Sequence, residues 1–577
     1  MDAQSRRRTV LIVAAALGVV AFGFRLVTLR GLSNDHYMHL AWAQQLLFGE
    51  LPGRDFVDPG MPLMYGLSAI VQYMWPGPFS DGALTCALLA VAASATFLVT
   101  TELTGSIAFG VAATLFEVAM EPRLYSYPKI LVPAVALLLV QHYLRRPSRL
   151  RLVWLAAWTG IAVLLRHDLG VYASAGIGAG LLVAHGTNWR QDVHVLSEYA
   201  VALVALMSPY VLFVQWSEGV GEHLHEAIEF AKGEAHQRFI TPPAFPFWSN
   251  VDSSSWTQMD SAVFLFYAAH ALAILCLVLL GRSKDRPTGR EPVAAAGLAM
   301  LLMYLLVVLR HPIDTRIQDV AALLAINGAW ALAESWQRAT AAVTSGPSPS
   351  LVRRFVPLFV AVIVVGGGLI NTWILSGVPN RLKETRVADG FGAIKHTIEG
   401  VEETGTVWPW ERFWPAGELP EAVRYLHACT TSRDAVLLTW AAPEYYYFAQ
   451  RRFGAGHALF LPPDAFTTAH DQARMLERIR RDRIPVVLIN EGRSDEFARA
   501  YPEVDRYIRD AYVAVGNFTI RDGSLISVAI GRDVKSTGTY DPGGWPCGFE
   551  RRAASSTASI MLDGSAIPLP AMSKAVP

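Results

Sequence analysis

Cysteine is scarce in this chain: four occur in 577 residues, too few for a disulfide-stapled scaffold. No CxxC pair is present and the spacings do not suit a zinc site. Charge is scarce as well. Asp, Glu, Lys and Arg make up 17% of the residues and cancel to a formal net charge of zero. Outside short loops there is no strongly basic stretch, which argues against a nucleic-acid partner, and no internal repeat is visible. What remains is apolar. Hydrophobic residues account for 52% of the chain and the mean hydropathy is positive, the balance of a polytopic membrane protein whose partner is the lipid bilayer.

A membrane-spanning helix needs about 20 mostly apolar residues. By that measure the sequence predicts about eleven spans, centred near Ala15, Val91, Val111, Ala136, Ala157, Ile177, Leu206, Leu272, Met300, Leu324 and Val364. The N-terminal run RRRTVLIVAAALGVVAFGF has no small-x-small cleavage site after it and reads as an uncleaved first span. If the N-terminus is cytoplasmic, the basic loops RRPSRLR, GRSKDRPTGR and Arg353-Arg354 all fall on the cytoplasmic side, as the positive-inside rule requires. The loops Arg30–Asp81, Glu121–Tyr127, Arg166–Gly170, Ser217–Asp260 and Arg310–Arg316 then face outward, with everything after about Ser376. These outer loops hold most carboxylates of the membrane region. A polar site at the outer face accounts for that one-sidedness.

Beyond Ser376 the composition changes. Asp434–Trp440 and Ile484–Asn490 read as short buried strands, Leu419–Ala428 and Ala465–Asp482 as helices, and Phe518–Ile520 with Leu525–Ile530 as a hairpin around Arg521-Asp522-Gly523. The expected organisation is a membrane domain over 1–376, an extracytoplasmic α/β domain over 377–535, and a disordered Ser-, Gly-, Pro- and Ala-rich tail over 536–577. Cys429 and Cys547 lie in this outer part, where a disulfide between them is open to formation; Cys86 and Cys276 read as small core residues.

The first outer loop carries the densest chemistry. Asp35 opens an amphipathic pattern through Leu40, Ala43, Leu47 and Phe48, expected to be a helix lying along the membrane surface. Asp35 could serve as its N-cap, although Asn34 or Ser33 would cap equally well. A turn at Leu51-Pro52-Gly53 follows, then Arg54, Asp55 and Asp58.

This pattern resembles the GT-C glycosyltransferases, in particular the bacterial relatives of the protein O-mannosyltransferases and lipid A aminoarabinose transferases (glycosyltransferase family 39-like). The residues that carry the resemblance are Asp35, Tyr37, Gly49, Pro52, Asp55, Phe56, Pro62, Leu63 and Tyr65, with the motifs RLYSYPK (Arg123–Lys129), LLRHDLGVY (Leu164–Tyr172) and PEYYYFAQRR in the C-terminal part. The resemblance implies a GT-C-like helical membrane fold and transfer of a sugar from a polyprenyl-phosphate-linked donor to an acceptor hydroxyl on a glycan, lipid or protein. The expected location is the outer face of the cytoplasmic (inner) membrane. Asp35 matches the catalytic acid and would take the acceptor's proton. Asp58 lies near a second acid of some members, and Asp55, Tyr37 and Glu121 are further substrate contacts. Where those members carry Lys-Pro-Pro, this chain has Gly60-Met61-Pro62. The lost cation would be replaced by Arg123 and Lys129, by Arg166 with His167, or by Arg310 and Arg316, since a leaving phosphate gains charge as the bond breaks.

Competing readings stand beside these. Arg123 and Lys129 also suit snorkelling at the bilayer edge, Arg166 and His167 suit pairing with Asp168, and Glu121 suits orienting Arg123. No cofactor is demanded, although a divalent ion between Asp35 and a second acid is left open. His223 and His225 are two apart and cannot share a helical face, which disfavours a metal site with His236 and the neighbouring Glu222, Glu226 and Glu234. Two other functions fit a polytopic chain: a lipid or sugar transporter, which would need ionisable residues at mid-membrane depth, and an inactive glycan-binding relative.

Overall fold

The computed structural model describes residues 3–384, 392 and 420–550, apart from 30–31, 33, 59, 186–188, 236–240, 247–255, 284–288, 310–312, 345–350, 459, 461–464, 521–522 and 542. The protein is a helical membrane protein. Among the described residues, seven helices are long and apolar enough to cross a bilayer: Gln4–Val27, Pro78–Thr104, Leu124–Arg145, Trp189–Ser217, Gln258–Arg282, Glu291–Val308 and Phe355–Leu375. The four remaining expected centres fall in the helices Ile107–Ala119, Arg149–Leu165, His167–His185 and Ala321–Thr344, which are not among those seven.

Small residues set the closeness of the bundle. The helix His167–His185 lies along Glu291–Val308, and a Cβ at Gly176 would come within 2.4 Å of the Met300 side chain and 2.9 Å of the Ala296 carbonyl. Only glycine lets the two backbones approach this far. At the other extreme, Trp189–Ser217 is covered over only 11% of its most apolar window, and Val201, Val204, Leu212 and Trp216 are exposed. In a bilayer such residues meet lipid rather than water.

After the first helix, α1 (Ala3–Val27), the expected helix at Asp35 is present as α2 (Asn34–Leu47), but it is not a membrane-surface helix. His36, Tyr37, Leu40, Ala41, Trp42 and Ala43 are all buried. One side packs on Pro62–Met74 and the other on the short helix Pro443–Ala449 of the C-terminal unit. Tyr37 lies against Tyr447 and Phe448, with ring centroids 5.8 and 5.2 Å away. Gln44 donates to the Tyr447 carbonyl at 3.2 Å. Gln45 donates to the Arg451 carbonyl and accepts from the Phe453 amide, both at 3.2 Å. Polar His36, His39, Gln44 and Gln45 are buried along with the apolar residues, so protein covers both faces instead of lipid and water.

The C-terminal unit contains a five-stranded mixed sheet in the order β2-β1-β3-β5-β4. Its strands are β1 (Ala435–Leu438), β2 (Arg452–Phe453), β3 (Val486–Asn490), β4 (Tyr512–Thr519) and β5 (Leu525–Gly531). β1 runs parallel to β2 and β3, while β5 is antiparallel to β3 and β4. The buried runs Val436–Leu438 and Val486–Leu488 suit strands covered on both faces. The helices Glu421–Cys429 and Ala469–Asp482 match the sequence expectation, the second starting at a Thr468–Asp471 capping box.

The expected disordered tail begins at 536. Instead β6 (Lys535–Tyr540) and β7 (Trp545–Glu550) form an antiparallel ribbon, while 551–577 lies outside the described residues. A disulfide joins Cys547 in the ribbon to Cys429. Trp545 packs on Tyr425, 5.2 Å between centroids, and Tyr425 donates to the Pro546 carbonyl at 2.8 Å. The ribbon's own sequence is mostly polar, so its anchors are the aromatic contacts of Trp545 and Tyr540 with Tyr425 and one covalent link, which composition does not reveal.

Two predictions follow from this packing. The disulfide closes a 118-residue separation, and Cys429→Ser should lower unfolding stability by about 3–5 kcal/mol, read as a lower thermal midpoint in detergent and a mobility change without reductant. Burial raises the Glu444 carboxyl to about 7. Between its ordinary 4.5 and that value the folded chain keeps a proton that the unfolded chain releases, so stability should fall by about 3 kcal/mol as pH rises through this window. Glu444→Gln should flatten that slope when melting is followed across the same range.

Candidate functional site

The sequence-predicted residues separate into two groups and several lone members. The first group gathers around α2's first turn. Arg123, preceding the short turn Leu124–Ser126, reaches Asp35 at 3.4 Å, Nη1 to Oδ2. Tyr125 donates its phenol proton to the same oxygen at 2.5 Å. The Tyr125 ring lies under two cations, Arg123 Cζ at 4.8 Å and Lys129 Nζ at 5.9 Å from its centroid, within the range of cation–π attraction. The Asp35 side chain remains 41% exposed, so its second oxygen is accessible to a ligand.

Lys129 continues the group into a narrow cleft of about 10 Å³, whose lining includes Lys129, Arg166, Tyr172, Tyr304, Arg316 and Asp319. Lys129 is buried and paired with buried Asp319. Tyr304 donates to the Lys129 carbonyl at 2.9 Å and lies 5.1 Å from Tyr172, centroid to centroid. Arg166 forms a two-pronged pair with Asp168, so the Asp168 partnership read as an alternative and the position at the cleft are both realised. Four cations (Arg123, Lys129, Arg166, Arg316) stand beside three carboxylates (Asp35, Asp168, Asp319), one positive charge in excess. Arg123 Nε and Nη2 and Arg316 Nε are buried with no hydrogen-bond partner among the described residues. Buried unpaired N–H groups and a surplus positive charge make the cleft receptive to an anion.

The second group forms around Asp58 and is distinct from the first. Asp58 is buried and accepts from the Gly60 and Met61 amides at 2.8 and 3.3 Å. Burial raises its carboxyl above the usual range, opposed by the facing His223. Gly60 has φ +83°, and a Cβ there would lie 2.7 Å from His167 Nδ1. His167 thus packs on the loop backbone, 5.2 Å from the His223 ring, rather than beside the cleft with Arg166. His223 is held by Glu218 at 2.8 Å, with Tyr210 between the two histidines at 3.4 Å from each. Asp58 thus clamps its own loop, and no hydrogen bond links it to Asp35 among the described residues.

The other expected contacts lie away from the cleft lining. Asp55 binds Arg54 at 2.6 Å and the Leu51 amide at 2.9 Å, with Arg481 of the C-terminal unit at 3.6 Å. Burial works against its charge, yet Arg54 and the amide hold it below the ordinary carboxylate range. Tyr37 is buried in the α2 interface described above. Glu121 pairs with Arg25, a residue of the first span. Arg310 lies outside the described residues, as does His236 of the histidine set. His223 and His225 do diverge, the second meeting Asp471 at 3.0 Å.

A divalent ion does not fit Asp35. Its described partners are a phenol and a guanidinium, and a fixed cation at 3.4 Å opposes a second one. Among the described residues no three His, Cys, Asp or Glu side chains come together to hold a metal.

Sequence reasoning missed Tyr125, Asp319 and Tyr304. The signal for Asp319 was a lone acid, IQDVAALLAINGAW, at the head of an apolar run, which is expensive without a cation. Lys129 in YPKILVPAVALLLV was the matching orphan. His39 was passed over as well. Burial, with neighbouring His36, lowers its imidazole to about 3, so it is a neutral ring against Tyr125, centroids 6.1 Å apart.

Removing one member of a buried pair leaves the other uncompensated. Lys129→Met should therefore destabilise the protein by about 3–5 kcal/mol, and adding Asp319→Asn should recover most of the loss, measured by thermal unfolding in detergent. No protein-family model matches the chain, and no curated protein matches it.

Proposed function

We propose that this chain is a GT-C-type membrane glycosyltransferase that moves a sugar from a polyprenyl-phosphate-linked donor to an acceptor hydroxyl. The observation that carries the reading is a half-exposed carboxylate, Asp35, beside a cleft with surplus positive charge and unpaired arginine N–H groups. In the proposed reaction the acceptor oxygen bonds to the anomeric carbon as its proton passes to Asp35. The bond from that carbon to the phosphate oxygen breaks, and its electron pair stays on the phosphate. The leaving group gains one negative charge, which Arg123, Lys129, Arg166 and Arg316 are positioned to balance.

In this reading the site faces outward from the cytoplasmic membrane. About eleven helices cross the bilayer, the N-terminus is cytoplasmic, and the C-terminal α/β unit is an extracytoplasmic domain. The Cys429–Cys547 disulfide supports that placement, because such bonds persist outside the reducing cytosol. A transporter reading is less well supported, since the cations and carboxylates collect around one cleft beside α2 rather than in a path through the bundle.

Asp35→Asn keeps size and polarity while removing the base. It should abolish transfer, a loss of at least about 100-fold, in a protein that still inserts and melts as the parent does. The readout is the envelope glycans and lipid-linked sugars of cells carrying the variant, compared with a deletion strain and the parent. Full transfer by the variant overturns the assignment.

A further inference from the structure

The acid is held by a tyrosine inside the RLYSYPK motif whose cations, not its aromatic rings, drew the eye in the sequence. We infer that Tyr125 is the positioning residue for Asp35 and, through its ring, the platform that aligns the cations facing the donor phosphate; this rests on the glycosyltransferase reading above.

The geometry divides the two tasks between two parts of one side chain. The phenol O–H donates to Asp35 Oδ2 at 2.5 Å, and Arg123 Nη1 approaches that same oxygen at 3.4 Å. Both contacts among the described residues fall on Oδ2, which leaves Oδ1 to receive the acceptor's proton. Asp35 sits on the first turn of α2, and at 41% side-chain exposure its rotamer depends on the constraint its polar contacts supply. The phenol supplies that constraint. A carboxylate that swings away from the reacting hydroxyl loses the near-attack geometry on which general-base catalysis depends, and a shift of about 1 Å costs about 100-fold.

The ring acts separately. Arg123 Cζ stands 4.8 Å and Lys129 Nζ 5.9 Å from its centroid, while His39 supports it from α2. The turn that presents Tyr125 is closed by a Ser126 amide to Arg123 carbonyl bond of 2.8 Å. Arg123, the ring and the acid therefore form one rigid assembly. Arg123 Nε and Nη2 remain unpaired within it, and Lys129 is tied back to Asp319. An aromatic face can order cations at the edge of a cleft without neutralising them, whereas a carboxylate there would cancel the charge that the phosphate meets.

The hydroxyl and the ring can be removed in turn. Tyr125→Phe keeps the ring and deletes the donor; Tyr125→Leu deletes both. Purified protein in detergent is supplied with C55 polyprenyl-phosphate-linked hexoses and pentoses, each radiolabelled in the sugar, with membranes of a deletion strain as acceptor. Binding of C55 polyprenyl phosphate alone is measured in parallel. Tyr125→Phe should lower kcat about 10- to 100-fold, with donor KM and polyprenyl-phosphate affinity within about twofold of the parent. Tyr125→Leu should show the same loss of kcat and in addition bind polyprenyl phosphate about fivefold or more weakly. Should Tyr125→Leu not fold, the isosteric Tyr125→Phe decides the hydroxyl's role alone. A parent protein that transfers sugar while Tyr125→Phe keeps its kcat, or changes only KM, overturns the positioning role and leaves the glycosyltransferase reading standing. A parent that transfers from none of these donors overturns both.

Discussion

The burial of like charges beside an apolar bundle is the constraint on which the rest of the structure depends. Arg123, Lys129, Arg166 and Arg316 would repel one another if left alone in so little water. Asp319 and Asp168 make the arrangement tolerable, and the Tyr125 and Tyr304 side chains supply polar contacts that carry no charge. Compensation stops one carboxylate short. A fully neutral cluster would be a structural plug, while an unpaired one would draw water and loosen the helices that hold it. The remaining positive charge lies close to the half-exposed Asp35 side chain.

α2 transmits order to that cluster. It is packed between the bundle and the C-terminal unit, so the height and tilt of Asp35 are fixed from two sides. Gln44 and Gln45 reach backbone groups of the C-terminal unit, and Tyr447 donates to Gln72 of the bundle at 2.9 Å. A single hydrophobic core runs through this junction, from the membrane helices to Val436 and Val486 in the sheet. The loop after α2 is held in the same manner by Asp58, His167 and His223. On this arrangement the C-terminal unit is part of what positions the acid, whatever else it binds.

Much of this was legible in the sequence for simple reasons. Long apolar runs have few ways to satisfy their backbone other than spanning helices, and β-branched runs such as VVLIN read as buried strands because nothing polar interrupts them. The first-loop acid and the RLYSYPK cations stood out because charge beside a bilayer is costly. The clamp around Asp58 was not legible, because His223 and His167 reach that loop from distant segments. The ribbon Lys535–Glu550 was missed because its stability comes from Trp545 and a disulfide to a distant helix, not from its own composition.

Sequence alone determined that the chain is a helical membrane protein, that its polar chemistry collects in particular loops, and which side chains there carry charge. Those properties are local, set by each segment's hydropathy and by the cost of placing charge near lipid. Only the tertiary structure decided which charges meet. Lys129 and Asp319 are 190 residues apart, and Tyr125 is 90 from Asp35. Pairing over such distances depends on how helices pack, and packing is a property of surfaces that no single segment contains.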